Sequence, residues 1–496
     1  MFVLAGLSCG CSAFGEHEWV RNGFKVGPNY TPPSAPVAGE WIESKDPRTQ
    51  APPPRDGNWW EAFQDPYLST LICQAYQHNP TLRAASARVM EAHAQQRIAF
   101  GNIFPQSQKA EGFYPTGNGF GAPSSAALTA FSLSWELDVW GKYRRQLESA
   151  RAAAEAAEDN YDDTLVTLLA DVATNYVQFR VSQQRIKIAR ENLKTQERLV
   201  TLSEQQTKVG TATTLDVSQF RTLYEQTRSS IPAQQIVLGQ SNDQLCVLLG
   251  VPPHDLEPEL GPGPATTSPP LPIVPTSVAA SIPSELLSRR PDIKSAERQV
   301  AAQVPQIGVA KSDYYPSVSI GTVIGYADLG LQQVTASQGF LGFFTPQFQW
   351  KILNYGRIKS NVRLQEAKTD EAIALYQGKV LTAAQQVQTA LRGFLLSQDQ
   401  AEHLAKSAEA AYTATVIEEK LFIDIKADVN RLFTLESSLL QSQDQLAIAR
   451  GNIALNLINV YRALGGGWEV RTREGYCPAG PMCTAPVTPS VSPKAP

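Results

Sequence analysis

Along residues 142–208 the apolar positions Leu165, Leu169, Val172, Tyr176, Phe179, Ile186, Leu193 and Val200 follow one another at intervals of four, three or seven. Those intervals set one stripe along a helix, the spacing of helices that pack lengthwise. The stretch holds neither Pro nor Gly in 67 residues, which predicts a single helix of about 100 Å at 1.5 Å per residue. "KVGTATTLDV" stops it at Gly210, and 215–249 returns as a second helix. Residues 357–423 repeat the plan with Val380, Ala384, Val387, Leu391 and Phe394 on one stripe, and 428–464 form the return helix. Residues 66–101 read as helix as well.

Shorter segments alternate with period two instead. In 128–138, Phe131, Leu133, Trp135 and Leu137 oppose Ala130, Ser132, Ser134, Glu136 and Asp138. In 343–352, Phe344, Phe348, Trp350 and Ile352 oppose Thr345, Gln347, Gln349 and Lys351. In 318–326, Val318, Ile320, Thr322, Ile324 and Tyr326 oppose Ser319, Gly321 and Gly325. The strand at 106–114 is weaker, because Lys109 and Glu111 share a side with Phe113. Four strands of about ten residues suit the apolar band of a bilayer, although one-sided alternation also serves any half-buried sheet.

The chain writes one phrase twice: "SWELDVWGK" at 134–142 and "QWKILNYGR" at 349–357. In each, a Trp precedes an aromatic residue by five positions, followed by Gly and a cation. Self-comparison extends the match. Pro80 pairs with Pro291, Pro105 with Pro316, Gly141 with Gly356, and "LLG" (248–250) with "ALG" (463–465). This is a duplication. The expected organisation is an N-terminal signal remnant over 1–11, an extended segment over 12–65, a first repeat over 66–250 and a Pro-rich connector over 251–283. A second repeat over 284–465 and a Pro-rich tail over 466–496 complete it. In the first repeat the strands fall at about 106–138 and the helical hairpin at 142–249. In the second they fall at about 317–352 and 357–464. The segment 252–283 has ten Pro in 32 residues, so neither helix nor central strand is expected there.

Composition narrows the class. A net charge of −4 gives no basic footprint for nucleic acid. No run of 18 apolar residues is present, which excludes a membrane-spanning helix but not a membrane barrel. The repeated phrase then reads as a strand leaving the bilayer, with Trp135, Trp140, Trp350 and Tyr355 as an aromatic edge, a Gly for the bend and a cation opening the helix. Four strands cannot close a barrel alone, so the chain would have to oligomerise. "LSCGC" places Gly10 before Cys11, as lipoprotein signals place a small residue before the acylated Cys, with Cys9 the alternative. Cys73 and Cys246 lie in apolar helical contexts, where buried free thiols are expected. Cys477 and Cys483 could pair or remain reduced. No G-x-S-x-G, H-E-x-x-H, P-loop or G-x-G-x-x-G after a strand occurs, so nothing points to an enzyme.

With "GPNYTPP", "LDVWGKYRR", "KVGTATTLDV" and the positions Trp60, Phe63, Asp65, Pro66, Leu68, Asn79, Pro80 and Leu82 in order, the sequence resembles the TolC-like outer-membrane factors over roughly 27–465. The resemblance implies a mainly α protein with a membrane β-barrel. It would be a homotrimer whose twelve-stranded barrel continues into a twelve-helix periplasmic tunnel. It also implies an efflux duct in the bacterial outer membrane, lipid-anchored, with no cofactor beyond that covalent lipid. Its partners would be a periplasmic adaptor and an inner-membrane RND-type pump. Val209, Gly210 and Thr211 would form the tip that meets the adaptor, and Asp424 and Asp428 would narrow the pore. Ile425 stands where the repeat has Gly210, so the second tip would turn differently. The competing reading is a periplasmic coiled-coil adaptor or scaffold without a pore, which needs only the helices.

Overall fold

A computed structural model describes residues 16–50, 57–113, 116–119, 122–125, 127–260, 271–279, 283–328, 340–423 and 429–472. The order begins with α1 (Glu16–Arg21), α2 (Pro66–His78) and α3 (Pro80–Gly101), then β1 (Ser107–Phe113), β2 (Thr116–Gly119), β3 (Ala122–Ser125) and β4 (Ala127–Leu137). Next come α4 (Lys142–Val209), α5 (Thr214–Leu249), α6 (Glu257–Leu260), α7 (Leu286–Arg289) and α8 (Pro291–Ser312). The chain continues through β5 (Ser317–Asp328), β6 (Phe340–Gln349), α9 (Arg357–Ile423) and α10 (Val429–Ala463). The two repeats therefore correspond element by element, with α3, the β1–β4 hairpin, α4 and α5 answering α8, the β5–β6 hairpin, α9 and α10. Among the described residues no helix is long and apolar enough to cross a membrane.

The chain divides into two compact units, each drawing on both repeats. The first comprises 1–36, 86–160 and 292–380. Its sheet runs β1-β4-β5-β6, antiparallel throughout, with a separate β2–β3 hairpin. Register collects the alternating residues onto one face, because directly opposed residues point the same way. Phe131 opposes Ile324, Trp135 opposes Ile320, Thr322 opposes Phe344 and Val318 opposes Phe348. That apolar face is not a core. Phe131, Ile324, Tyr326, Phe340, Phe344 and Phe348 are all exposed, Phe348 to 77%. An N-terminal strap is held to the base of this unit: Arg145 donates to Val26 O and Gly27 O, and Lys25 pairs with Glu148. Gly27 lies so close to Gly308 that a Cβ there would stand 2.5 Å from its Cα.

The second unit comprises 37–85, 161–291 and 381–496. It contains the C-terminal portions of α4 and α9, together with α2, α5 and α10. Trp59, Trp60 and Phe63 are buried, Trp59 stacking on Tyr461 at 5.4 Å. Asp65 caps α2 through Tyr67 N at 2.9 Å and accepts the Tyr176 hydroxyl at 2.6 Å. Burial, with the Asp65 charge beside it, drives the Tyr176 phenol pKa upward. Arg180, fully buried, donates to Leu260 O at 2.9 Å.

Several expectations need correction. Residues 66–101 are two helices, because Asn79 adopts extended backbone before Pro80 and its Oδ1 accepts from Leu82 N at 2.9 Å, restarting the helix. The Pro-rich connector is not wholly irregular: Glu257–Leu260 form a turn of helix, with Leu256 and Leu260 buried. It also pairs Val278 N with Arg48 O at 2.8 Å. The segments 12–65 and 466–496 likewise contain α1 and short 3-10 turns at Pro47–Thr49, Trp59–Phe63 and Trp468–Thr472. The last strand stops at Gln349, so Trp350 and Ile352 lie beyond it. On α9 the buried stripe passes through Ala383 rather than Ala384. Cys73 is disulfide-bonded rather than free, whereas Cys246 is a buried free thiol as expected.

Candidate functional site

Both copies of the repeated phrase make the same bend. Gly141 and Gly356 have φ of 78° and 81°, a left-handed conformation that side chains disfavour, immediately before α4 and α9. In the first copy Asp138 accepts from Tyr143 N and Arg144 N, both at 3.0 Å, and so satisfies the free amides at the start of α4. In the second, Asn354 Oδ1 accepts instead from Gly356 N at 3.2 Å, one residue before α9, and its backbone carbonyl accepts from Arg357 N at 2.9 Å. The indoles are tied to the neighbouring segments. Trp135 Nε1 donates to Ile103 O at 3.1 Å, Trp140 Nε1 to Pro316 O at 2.8 Å and Trp350 Nε1 to Tyr314 O at 2.9 Å. Trp140 also stacks on Tyr315 at 4.4 Å. Tyr355 differs: it is 92% exposed with φ of 50°.

At the far end of α4, Gly210 has φ of 81° and closes the helix. Thr211 N donates to Gln206 O at 2.9 Å and Gly210 N to Thr207 O at 3.1 Å, which occupies the last carbonyls. Helix α5 restarts at once through a capping box: Thr213 N donates to Asp216 Oδ2 at 2.7 Å, and Asp216 N to Thr213 Oγ1 at 3.3 Å. The turn presents Val209 and Leu215, 80% and 65% exposed, beside Gly210 and Thr211. Behind it Leu199, Phe220, Phe422 and Leu432 form a closed cluster that joins α4, α5, α9 and α10. Gln219 Nε2 donates to Asn430 Oδ1 at 2.9 Å, linking the two hairpins.

Val209, Gly210 and Thr211 thus lie at the turn between α4 and α5, and Trp135, Trp140, Trp350 and Tyr355 lie at or near the strand-to-helix junctions. Cys9, Cys11, Asp424, Ile425, Asp428, Cys477 and Cys483 lie outside the described residues. Sequence reasoning missed Arg145 and Arg180, which fix the scaffold, and named Asp65 and Asp138 only by motif and strand position, without their capping roles. The capping box over Thr213 and Asp216 was legible, since a Thr-x-x-Asp pattern before an apolar helix signals it. Among the described residues no group of three or more His, Cys, Asp or Glu could hold a metal ion.

Paired strand hairpins feeding very long helical hairpins, written twice in one chain, define a duplicated architecture. A family model described as outer membrane efflux protein matches residues 71–251 and 282–466, one segment on each repeat, and the chain belongs to that family. It is 29% identical over 456 residues to the probable outer membrane lipoprotein SilC of Salmonella typhimurium, covering 89% of this chain and 95% of the relative. It is also 29% identical over 471 residues to the toluene efflux pump outer membrane protein TtgC of Pseudomonas putida, covering 92% and 95%. Among solved structures, the outer-membrane channel OprN superposes with a TM-score of 0.82 at 30% identity, covering 90% of this chain and 99% of that one. The protein is an outer-membrane efflux channel.

Proposed function

We propose that the protein works as a homotrimeric, passive and gated duct of a tripartite efflux system, lipid-anchored at Cys11 or, alternatively, Cys9. The carrying observation is the sheet: β1 and β6 are its two outer strands, and its aromatic face is left exposed by the described residues. An open edge in lipid leaves backbone amides and carbonyls unpaired at several kcal/mol each, so β6 of one copy pairs with β1 of the next. Three copies of four strands close a twelve-stranded barrel, and the helical hairpins continue as a twelve-helix tunnel. Trp135, Trp140, Trp350 and Tyr355 lie at the bilayer edge. Val209, Gly210 and Thr211 meet the periplasmic adaptor, which links the duct to an inner-membrane RND-type pump. Asp424 and Asp428 narrow the pore, each forming a ring of three carboxylates that favours cations and resists closure unless paired. TtgC is named for toluene; the cargo here follows from the pump, because a wide polar lumen makes few specific contacts.

The direct test removes residues 107–137. A barrel without them fails to assemble in the membrane, while a periplasmic rod would keep its oligomeric state. Replacing Asp424 and Asp428 together with Ala raises single-channel conductance if they form the gate; unchanged conductance and antibiotic permeation would place it elsewhere.

A further inference from the structure

A buried carboxyl group sits in the helix ends behind the tip. Glu436 on α10 is 1% exposed, and its Oε2 has no hydrogen-bond partner among the described residues. Its level follows from helical geometry. Leu432, one turn nearer the tip on the same face, belongs to the closed cluster with Leu199, Phe220 and Phe422. One or two turns further from the tip, each helix offers a polar residue on that face: Gln196 on α4, Thr227 on α5, Glu418 on α9 and Glu436 itself. All are buried, Gln196 and Thr227 to 1% exposure and Glu418 to 3%. Neither amide atom of Gln196 nor the hydroxyl of Thr227 has a hydrogen-bond partner among the described residues. A buried polar layer thus lies beside an apolar one.

The charges around this layer do not compensate Glu436. Arg431 pairs with Glu418, Arg221 with Glu204, Arg228 with Glu225 and Arg185 with Asp444. On α4 and α5 the residues facing the layer, Gln196 and Thr227, are neutral. The charge from α9 that acts on Glu436 is Glu419, which has the same sign. Burying an unpaired carboxylate is costly, so the group holds its proton instead.

We propose that Glu436 is a proton-controlled latch: neutral, its carboxyl is tolerated in the buried layer and keeps the helix ends packed; ionised, it is hydrated only when α9 and α10 part. This goes beyond the duct reading and does not depend on it. Burial, reinforced by Glu419, pushes the carboxyl up to about 7. Its neutral form is the one the packed state favours. The contribution to packing is therefore complete below the ordinary carboxylate range and is lost as pH rises toward about 7.

Hydrogen exchange on the full chain in detergent tests this. Amide opening constants over 429–440, corrected for intrinsic exchange, should rise roughly 50- to 100-fold between about pH 5 and about pH 8. Glu436→Gln should hold the acid value throughout, and Glu419→Gln should keep the rise but move its midpoint to lower pH. A flat wild-type profile, an equal rise in Glu436→Gln, or an unmoved midpoint in Glu419→Gln would each overturn the proposal. Should Glu436→Gln fail to fold, the Glu419→Gln midpoint still decides.

Discussion

Replacing Gly210 isolates the backbone's contribution to the tip from packing. Nothing lies within 4 Å of a Cβ built at this position, whereas at Gly27 and Gly308 a Cβ would meet backbone atoms at 2.5 and 2.6 Å. The cost of Gly210→Ala is therefore conformational. A φ of 81° is a left-handed state that costs an alanine about 1–2 kcal/mol. Part is returned, since alanine restricts the unfolded chain by about 0.4–1 kcal/mol. The net loss is about 1 kcal/mol, a roughly fivefold increase in local opening. Asn tolerates this conformation better, so Gly210→Asn should cost less than Gly210→Ala, and β-branched Gly210→Val should cost most. Exchange of the Thr207–Asp216 amides reads the order directly, because these groups carry the Gly210 stop and the capping box. Equal effects in the three variants, or exchange changes at Trp59–Phe63 and not at the turn, would refute the argument. If the turn also docks the adaptor, crosslinking at this site should fall in the same order; a bulky variant that crosslinks normally would remove Gly210 from that interface.

Asp65→Ala should destabilise the second unit by about 2–4 kcal/mol, through the lost cap and an orphaned Tyr176 hydroxyl, and Asp65→Asn by less; chemical denaturation measures both. Leu432→Ala, in a cluster where Leu432 is fully buried, should cost about 2–5 kcal/mol and increase exchange at both hairpins. Cys11→Ser should lose the mass of the lipid and its membrane retention, and unchanged values would refute acylation there. Peptide mapping without reductant should find Cys73 in a disulfide and Cys246 alkylated only after unfolding.

Much of the architecture was legible because it rests on periodicity. The 3.5-residue stripe fixed α4 within a residue at each end, from Lys142 to Val209, since uninterrupted helix has only its caps to misplace. The duplicated Gly bends were readable because a left-handed φ restricts the residue type so strongly. Other features resist a one-dimensional reading. The break at Asn79 depends on one side chain that also donates to Leu248 O at 2.9 Å, 169 residues away. The early end of β6 follows from its partner, since Gln349 pairs with Ser317, where β5 begins, and alternation does not encode that register. Glu436 looks like an ordinary solvated helix charge until packing buries it to 1% exposure. Cys73 shows the same limit, because an apolar helical context describes its burial but not its bonding.

Membrane fractionation of the full-length protein, followed by its mass in mild detergent, bears most directly on the central claim. The account predicts recovery in the outer membrane as a particle of three 54.1 kDa protomers. A soluble periplasmic monomer would mean that the exposed face of β4, β5 and β6 never meets lipid, and would contradict it.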